Sequence, residues 1–483
     1  MSIEPIGFIV LLLGLALVYY GSRFAITALC ISTVLGAAAA FQLPALGGSS
    51  IQPSHLLLLF VTIGVLLRPR QKQAALMSLA YPGPGFWFAA YVLFSAVSAF
   101  FLPRIFAGAT LVYSSARSSS GLMSIMASPL APGSSNLTQS VYLLGDLVCF
   151  AIVCGLARLG YGRFIARQLI VTALVCLGFA LLDIATFTIG QPDLLDFIRN
   201  ANYTMHTAEV IGGFKRIVGS FPEASAYGAA ALVFFSFALI LWLERFPIRF
   251  TGLVTISIGL TLILCTSTTA YVAGLFMIGV AVLFSLKRLL SGQATRPYAI
   301  FLLITLLMVP CVIMAVALIP SAWNALGDLA NVTLANKMES QSGEERAAWN
   351  TLALISFVET ATFGAGLGTV RTSSFAAALL SNVGLTGTAL FLLFLYSLLM
   401  AAGRSKLVSR ENRAIGMAAV FASVAQIASA TISGSSTDLG LLFSITAGLA
   451  SGCLTVPYAS SQRTSRLQRT PTSLMSTPVF ASR

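Results

Sequence analysis

The chain has 483 residues, of which 57% are hydrophobic and only 9% charged, with a mean hydropathy of +0.90. A soluble domain carries about 25% charged residues, so a soluble enzyme, a disordered chain and a secreted disulfide scaffold are excluded. In a bilayer protein the net charge of +13 marks connections loaded with Lys and Arg rather than a nucleic-acid partner.

Apolar runs of spanning length, or slightly short of it, fall at about 5–21, 24–42, 52–67, 84–102, 141–157, 168–189, 224–243, 251–266, 268–286, 298–318, 376–402, 415–432 and 438–457. They predict an all-α polytopic transmembrane helix bundle of about 12–14 spans, with parity depending on how 265–271 divides. Residues 1–5 hold no basic n-region, so the first run reads as a span and not as a cleaved leader. Cys30, Cys149, Cys154, Cys176, Cys265, Cys311 and Cys453 all lie in apolar segments without a CxxC, which predicts buried thiols rather than disulfides or zinc.

The basic residues sort onto alternate connections: Arg68, Arg70 and Lys72; Arg158, Arg163 and Arg167; Lys287, Arg288 and Arg296; Arg404, Lys406, Arg410 and Arg413. The short connections 43–51 and 433–437 on the other side carry no Lys or Arg. The positive-inside rule then places the C-terminus in the cytoplasm and the N-terminus outside. Three long segments face outward: 103–140, rich in Ser, Gly and Ala and read as mobile; 190–222; and 320–375. The Ser/Thr/Arg-rich tail 460–483 reads as disordered and attracted to anionic headgroups.

Chemistry concentrates in the last two outer segments. In Lys215-Arg216-Ile217-Val218-Gly219-Ser220-Phe221-Pro222-Glu223-Ala224-Ser225 two cations precede a carboxylate that opens a helix. Arginine matches phosphate oxygens in a bidentate way that lysine does not. The plainer reading is an interfacial anchor pair and a helix-start glutamate. Further on, Ser342-Gly343-Glu344-Glu345-Arg346-Ala347-Ala348-Trp349 begins a partly amphipathic stretch through Thr362. It is followed by Gly364-Ala365-Gly366-Leu367-Gly368-Thr369-Val370-Arg371-Thr372-Ser373. Thr369 stands where a third dinucleotide-fingerprint glycine belongs. The three glycines allow a bulky ligand to approach the backbone, with free N–H groups beside Arg371; the alternative is a flexible turn before the next helix. Arg216, Arg346 and Arg371 break the charge rule on the outer side, and a lipid pyrophosphate there would explain them.

Weaker candidates are His206, the sole histidine of an outer loop; the Asp193/Asp196 pair; and Asp146, an ionisable group inside a span. The sequons at Asn136, Asn202 and Asn331 are frequent by chance.

Many spans, large outer loops, the Arg216-to-Ser225 boundary and the late Gly364-x-Gly366-x-Gly368 before Arg371 resemble the O-antigen ligase/polymerase superfamily. Phe221-Pro222-Glu223-Ala224-Ser225 resembles the F-x-E-P-S pattern of exopolysaccharide and O-antigen polymerases, with Ala224 where Pro is usual. Ser342-Gly343-…-Arg346-…-Trp349 and Ser381-Asn382-Val383-Gly384-Leu385-Thr386-Gly387 are similar to that family's last third, and the resemblance covers roughly 200–400.

The resemblance implies a bacterial inner-membrane glycosyltransferase with two large periplasmic loops and no cofactor or metal. It would extend an undecaprenyl-pyrophosphate-linked oligosaccharide among membrane lipids, with a chain-length regulator as partner and no nucleic acid. Arg216, Arg371 and Glu223 take the catalytic roles. Lys215, Arg346, Glu345, Gly364, Gly366, Gly368 and Ser373 contact substrate. A ligase of the family carries a histidine in its second large loop, and none occurs in 320–375; polymerisation is therefore favoured. The competing readings are a ligase, a lipid-linked-oligosaccharide flippase or transporter, and a metal-dependent lipid-phosphate glycosyltransferase, whose early acidic pair is missing from 43–51 and 103–140.

Overall fold

The computed structural model describes residues 2–43, 49–117, 123–202, 205–211, 214–318, 341–404 and 408–455. Proline sets the entry of several helices, because its missing N–H and fixed φ suit the first helical turn: α1 (Pro5–Tyr20), α3 (Pro53–Leu66), α4 (Pro69–Ser78) and α5 (Pro84–Ile105). Between α1 and α3 lies α2 (Ser22–Ser32). Then come α6 (Ser134–Leu156), joined to α7 (Gly162–Thr188) by the wide turn Ala157–Tyr161. There follow α8 (Ala224–Leu243), α9 (Thr251–Leu264), α10 (Thr268–Leu290) and α11 (Arg296–Leu318). The last four are α12 (Gln341–Glu359), α13 (Phe375–Gly403), α14 (Arg410–Ser433) and α15 (Gly440–Leu454).

The result is an all-α polytopic membrane bundle. Six segments among the described residues are long and apolar enough to cross a bilayer, and shorter apolar helices pack beside them. The 265–271 stretch divides, α9 ending at Leu264 and α10 beginning at Thr268. α8 is apolar on every side and sits at the centre, against α14 and α9. α15 packs on α6 and α14. The α6–α15 approach is close because small residues face each other: a Cβ on Gly452 would stand 2.7 Å from the Cys154 carbonyl oxygen. Phe88, Phe150, Phe394 and Phe443 join α5, α6, α13 and α15, with Phe88 and Phe394 centroids 4.8 Å apart. Cys30, Cys149, Cys154, Cys176, Cys265 and Cys453 are free and buried; the Cys311 side chain lies outside the described residues.

The two sets of connections separated by charge occupy opposite ends of the bundle. At one end Arg158 donates to the Met77 carbonyl and the Thr455 hydroxyl, both at 3.1 Å, and Arg288 pairs with Glu244 at 2.6 Å. At the other, a small antiparallel sheet joins β1 (Ser2–Ile3), β2 (Phe41–Leu43) and β3 (Ser49–Ile51). Asn200 bonds to Ala39 and Glu4 there, and Tyr142 donates to the Ser50 carbonyl at 2.6 Å.

The segment 103–140, expected to be mobile, is instead largely structured. α5 runs through Pro103 to Ile105, a hairpin pairs β4 (Leu111–Arg117) with β5 (Met123–Pro129), and α6 already begins at Ser134. Its strands satisfy one another's backbone groups, which composition alone does not reveal. In 190–222 a short helical turn Pro192–Ile198 precedes a two-residue ladder of β6 (Val210–Ile211) and β7 (Phe214–Lys215). The amphipathic stretch before Thr362 is α12, packed on α13 and β4. The tail 460–483 and the Asn331 sequon lie outside the described residues.

Candidate functional site

The end that carries the long segments holds an open cavity of about 650 Å³. Its walls come from the first turn of α3, the outer turns of α6, the 221–230 stretch that opens α8, and the α14–α15 connection. A smaller cavity of about 150 Å³ adjoins it, sharing Gln139, Ser435 and Ser436 and reaching Arg371 and Asn382.

Glu223 lines the larger cavity. It is the extended residue directly before α8, and its carboxylate accepts a hydrogen bond from the Ser225 hydroxyl. A carboxylate here is favoured by the exposed N–H groups of the helix start. Arg371 lines the smaller cavity. Its backbone N–H donates to the Tyr113 carbonyl at 2.8 Å, and its guanidinium lies 5.2 Å above the Trp349 ring. Burial holds the Arg371 pKa below its ordinary value; the Glu223 charge acts to raise it and the like charge of Arg346 to lower it. Arg371, Glu223 and Arg346 come from three separate segments and share one electrostatic neighbourhood.

The other predicted cations are placed elsewhere. Arg216 lines neither cavity; its guanidinium pairs with Glu209, which also meets His206 Nδ1 at 3.1 Å. Lys215 turns to α7, its Nζ 2.8 Å from Asp183 Oδ1. The same carboxylate takes Arg199 at 2.6 Å and the N–H groups of Val218 and Gly219 at 2.8 and 3.1 Å. Two cations and two amides thus hold the 199–219 segment onto α7. Asp183 and Arg199 went unnoticed in the sequence; the signal was an acidic residue late in a span facing an unmatched surplus of base.

The glycines do a different job from the one expected. Gly364, Gly366 and Gly368 all have positive φ and each is pressed against neighbouring protein, and Gly368 also lines the smaller cavity. A Cβ on Gly366 would stand 2.5 Å from Pro103 Cδ and 2.9 Å from the Ser98 carbonyl oxygen. On Gly364 it would stand 2.6 Å from Gly384 N, and on Gly368 2.7 Å from the Ser135 carbonyl oxygen. The loop seats against a kink of α13, where Gly384 has φ +63°. Its N–H groups are used: Ala365 and Gly366 donate to the Ser381 and Asn382 carbonyls at 2.7 and 2.8 Å. Thr369 and Val370 donate to Asn382 Oδ1 at 3.1 and 3.0 Å. Asn382 is the positioning residue that sequence reasoning quoted but gave no role.

Ser373 is buried, its N–H donating to Asn350 Oδ1 at 2.8 Å, and lies outside both cavities. Glu345 is exposed near the start of α12. Asp193 and Asp196 are exposed on their helical turn. No group of three or more potential metal ligands occurs among the described residues. Asn136 is buried, donating to the Leu367 carbonyl at 2.6 Å and the Thr369 hydroxyl at 2.8 Å, so its sequon is structural. Two cavity residues, His55 and Asp438, were missed because nothing in their local sequence marks them.

Comparison of the chain with protein-family models, with curated proteins and with solved structures finds no match.

Proposed function

We propose that this protein is a metal-independent glycosyltransferase: a glycan polymerase that transfers an undecaprenyl-pyrophosphate-linked saccharide chain onto a hydroxyl of another lipid-linked repeat unit. The observation that supports this most is that Glu223 and Arg371 line two adjoining cavities, with the Glu223 and Arg346 charges both acting on the Arg371 guanidinium. The active face would be the periplasmic face of a bacterial inner membrane, as the charge distribution and the family resemblance imply.

In this reading Arg371, with Arg346, grips the donor pyrophosphate. Negative charge grows on the leaving oxygens as the sugar becomes oxocarbenium-like, and fixed guanidinium groups in a water-poor site stabilise it without reorganising. Glu223 is the general base for the acceptor hydroxyl, or the group that orients it. The bilayer confines both substrates to one plane and supplies proximity. Arg216 acts through Glu209, holding the segment that delivers Glu223.

The test uses the lipid-linked repeat unit that accumulates in cells lacking this protein. Purified chain converts it to a ladder of longer glycans, and Arg371→Ala and Glu223→Gln abolish the ladder at normal protein levels. Full-length polymer from either variant removes that residue from the site. A transporter is the second reading, favoured by Asp146, an ionisable group buried within α6. Flux across liposomes with no glycan extension would select it.

A further inference from the structure

The larger cavity has a second polar wall that the donor chemistry leaves unused. His55 enters it from the first turn of α3, and among the described residues neither ring nitrogen has a hydrogen-bond partner. Tyr142 holds the ring, its centroid 4.6 Å away and its plane tilted by 51°. Asp438, on the α14–α15 connection, lines the same cavity and acts electrostatically on the imidazole. Asp438 accepts the Gly440 N–H at 2.7 Å and meets the buried Asp146 carboxyl from α6. The lining contains no Lys or Arg; Gln52, Gln139, Asn202 and Gln426 contribute amides.

Amides, hydroxyls and an aromatic edge suit a neutral saccharide rather than a phosphate. A histidine serving only to pack would have its ring nitrogens bonded within the fold. A buried, unpartnered imidazole in the wall of a cavity that a carboxylate also lines is placed to act as a general base.

We propose that this wall is the acceptor-sugar subsite, and that His55 removes the proton from the attacking hydroxyl while the Asp438 charge favours the imidazolium that forms. The inference rests on the glycosyl-transfer reading and gives Glu223 the orienting role. The acceptor oxygen bonds to the donor's anomeric carbon. The bond from that carbon to phosphate oxygen breaks, its electron pair leaving with the pyrophosphate. The hydroxyl proton moves to His55, whose imidazolium returns it to water in the cavity once the pyrophosphate has left. The titratable groups around His55 are Tyr142 against the ring, and Asp438 and Glu223 in the same cavity wall.

The experiment measures glycan extension by the full chain in lipid nanodiscs from about pH 5 to 8, the range in which a histidine titrates. The probe is the repeat unit accumulated in cells lacking the protein. The wild-type rate falls as pH drops and the base is protonated. His55→Gln loses this acid limb and about 10²–10⁴-fold in rate, whereas Asp438→Asn keeps the limb but displaces it. Extension by the wild type with an unchanged rate and profile in His55→Gln overturns this inference alone. Should His55→Gln fail to fold, a wild-type profile without an acid limb, or an undisplaced one in Asp438→Asn, overturns it equally. A wild type that extends nothing overturns the polymerase reading beneath it.

Discussion

Asn382 and Val370 bind each other in both directions: Asn382 Oδ1 accepts the Val370 N–H at 3.0 Å, and Asn382 Nδ2 donates to the Val370 carbonyl at 3.0 Å. The next residue is Arg371, so the kink of α13 fixes where that guanidinium emerges.

Asn382→Ala leaves the Val370 N–H without an acceptor inside the fold, at about 1–3 kcal/mol, while the Thr369 N–H keeps only the Gly366 carbonyl at 3.2 Å. The variant should melt several degrees lower in detergent and extend glycans poorly although Arg371 is intact. An unchanged melting temperature would mean that the loop is held by its glycine contacts alone.

Arg371→Lys keeps the charge but loses the planar fork and the stack on Trp349. A fall of about 10²–10³-fold in extension rate is expected, the size of one lost transition-state donor. Rate assays at matched protein levels decide this, and near-wild-type turnover would rule out bidentate donor binding.

Asp183→Asn leaves two buried cations sharing a neutral amide, since the Arg199 and Lys215 side chains are only 4% and 6% exposed. Removing one partner of such a set costs about 3–5 kcal/mol. Lys215→Met should cost less, because Arg199 still neutralises the carboxylate. Denaturation in detergent measures both. Loss of extension by Lys215→Met at wild-type stability would return Lys215 to the substrate-binding group.

Gly366→Ala and Gly108→Ala separate packing from backbone strain. Both glycines have positive φ, +96° and +73°, but an added Cβ meets nothing within 4 Å at Gly108. Gly108→Ala should cost about 1–2 kcal/mol, the left-handed penalty alone. Gly366→Ala must also push Pro103 and Ser98 aside, and should be the less stable of the two by thermal melting. Equal melting temperatures would refute the seating of the loop on α5.

Much of the architecture was legible from residue order. Runs of apolar residues marked the helices because a bilayer demands continuous hydrocarbon-compatible length. Charge asymmetry sorted the connections onto two ends, and the structure keeps those sets apart. The hairpin in 103–140 escaped notice because its Ser- and Ala-rich strands show little alternation. The glycine triplet was visible, but its partner was not: close approach looks alike in sequence whether ligand or protein backbone fills the space.

The sequence by itself determined that this is a many-helix membrane protein with polar segments gathered at one end. It also pointed to Arg216, Arg346 and Arg371 as cations out of place in their surroundings, and to Glu223 as the carboxylate that opens a helix. Only the tertiary structure decided which of these meet, drew Lys215 away to Asp183 and Arg216 to Glu209, and brought His55 beside Asp438 across 383 positions of chain. Hydropathy is a local property that each segment carries alone. A charge's partner depends on which helix faces which, and that is settled by packing between segments far apart in the chain.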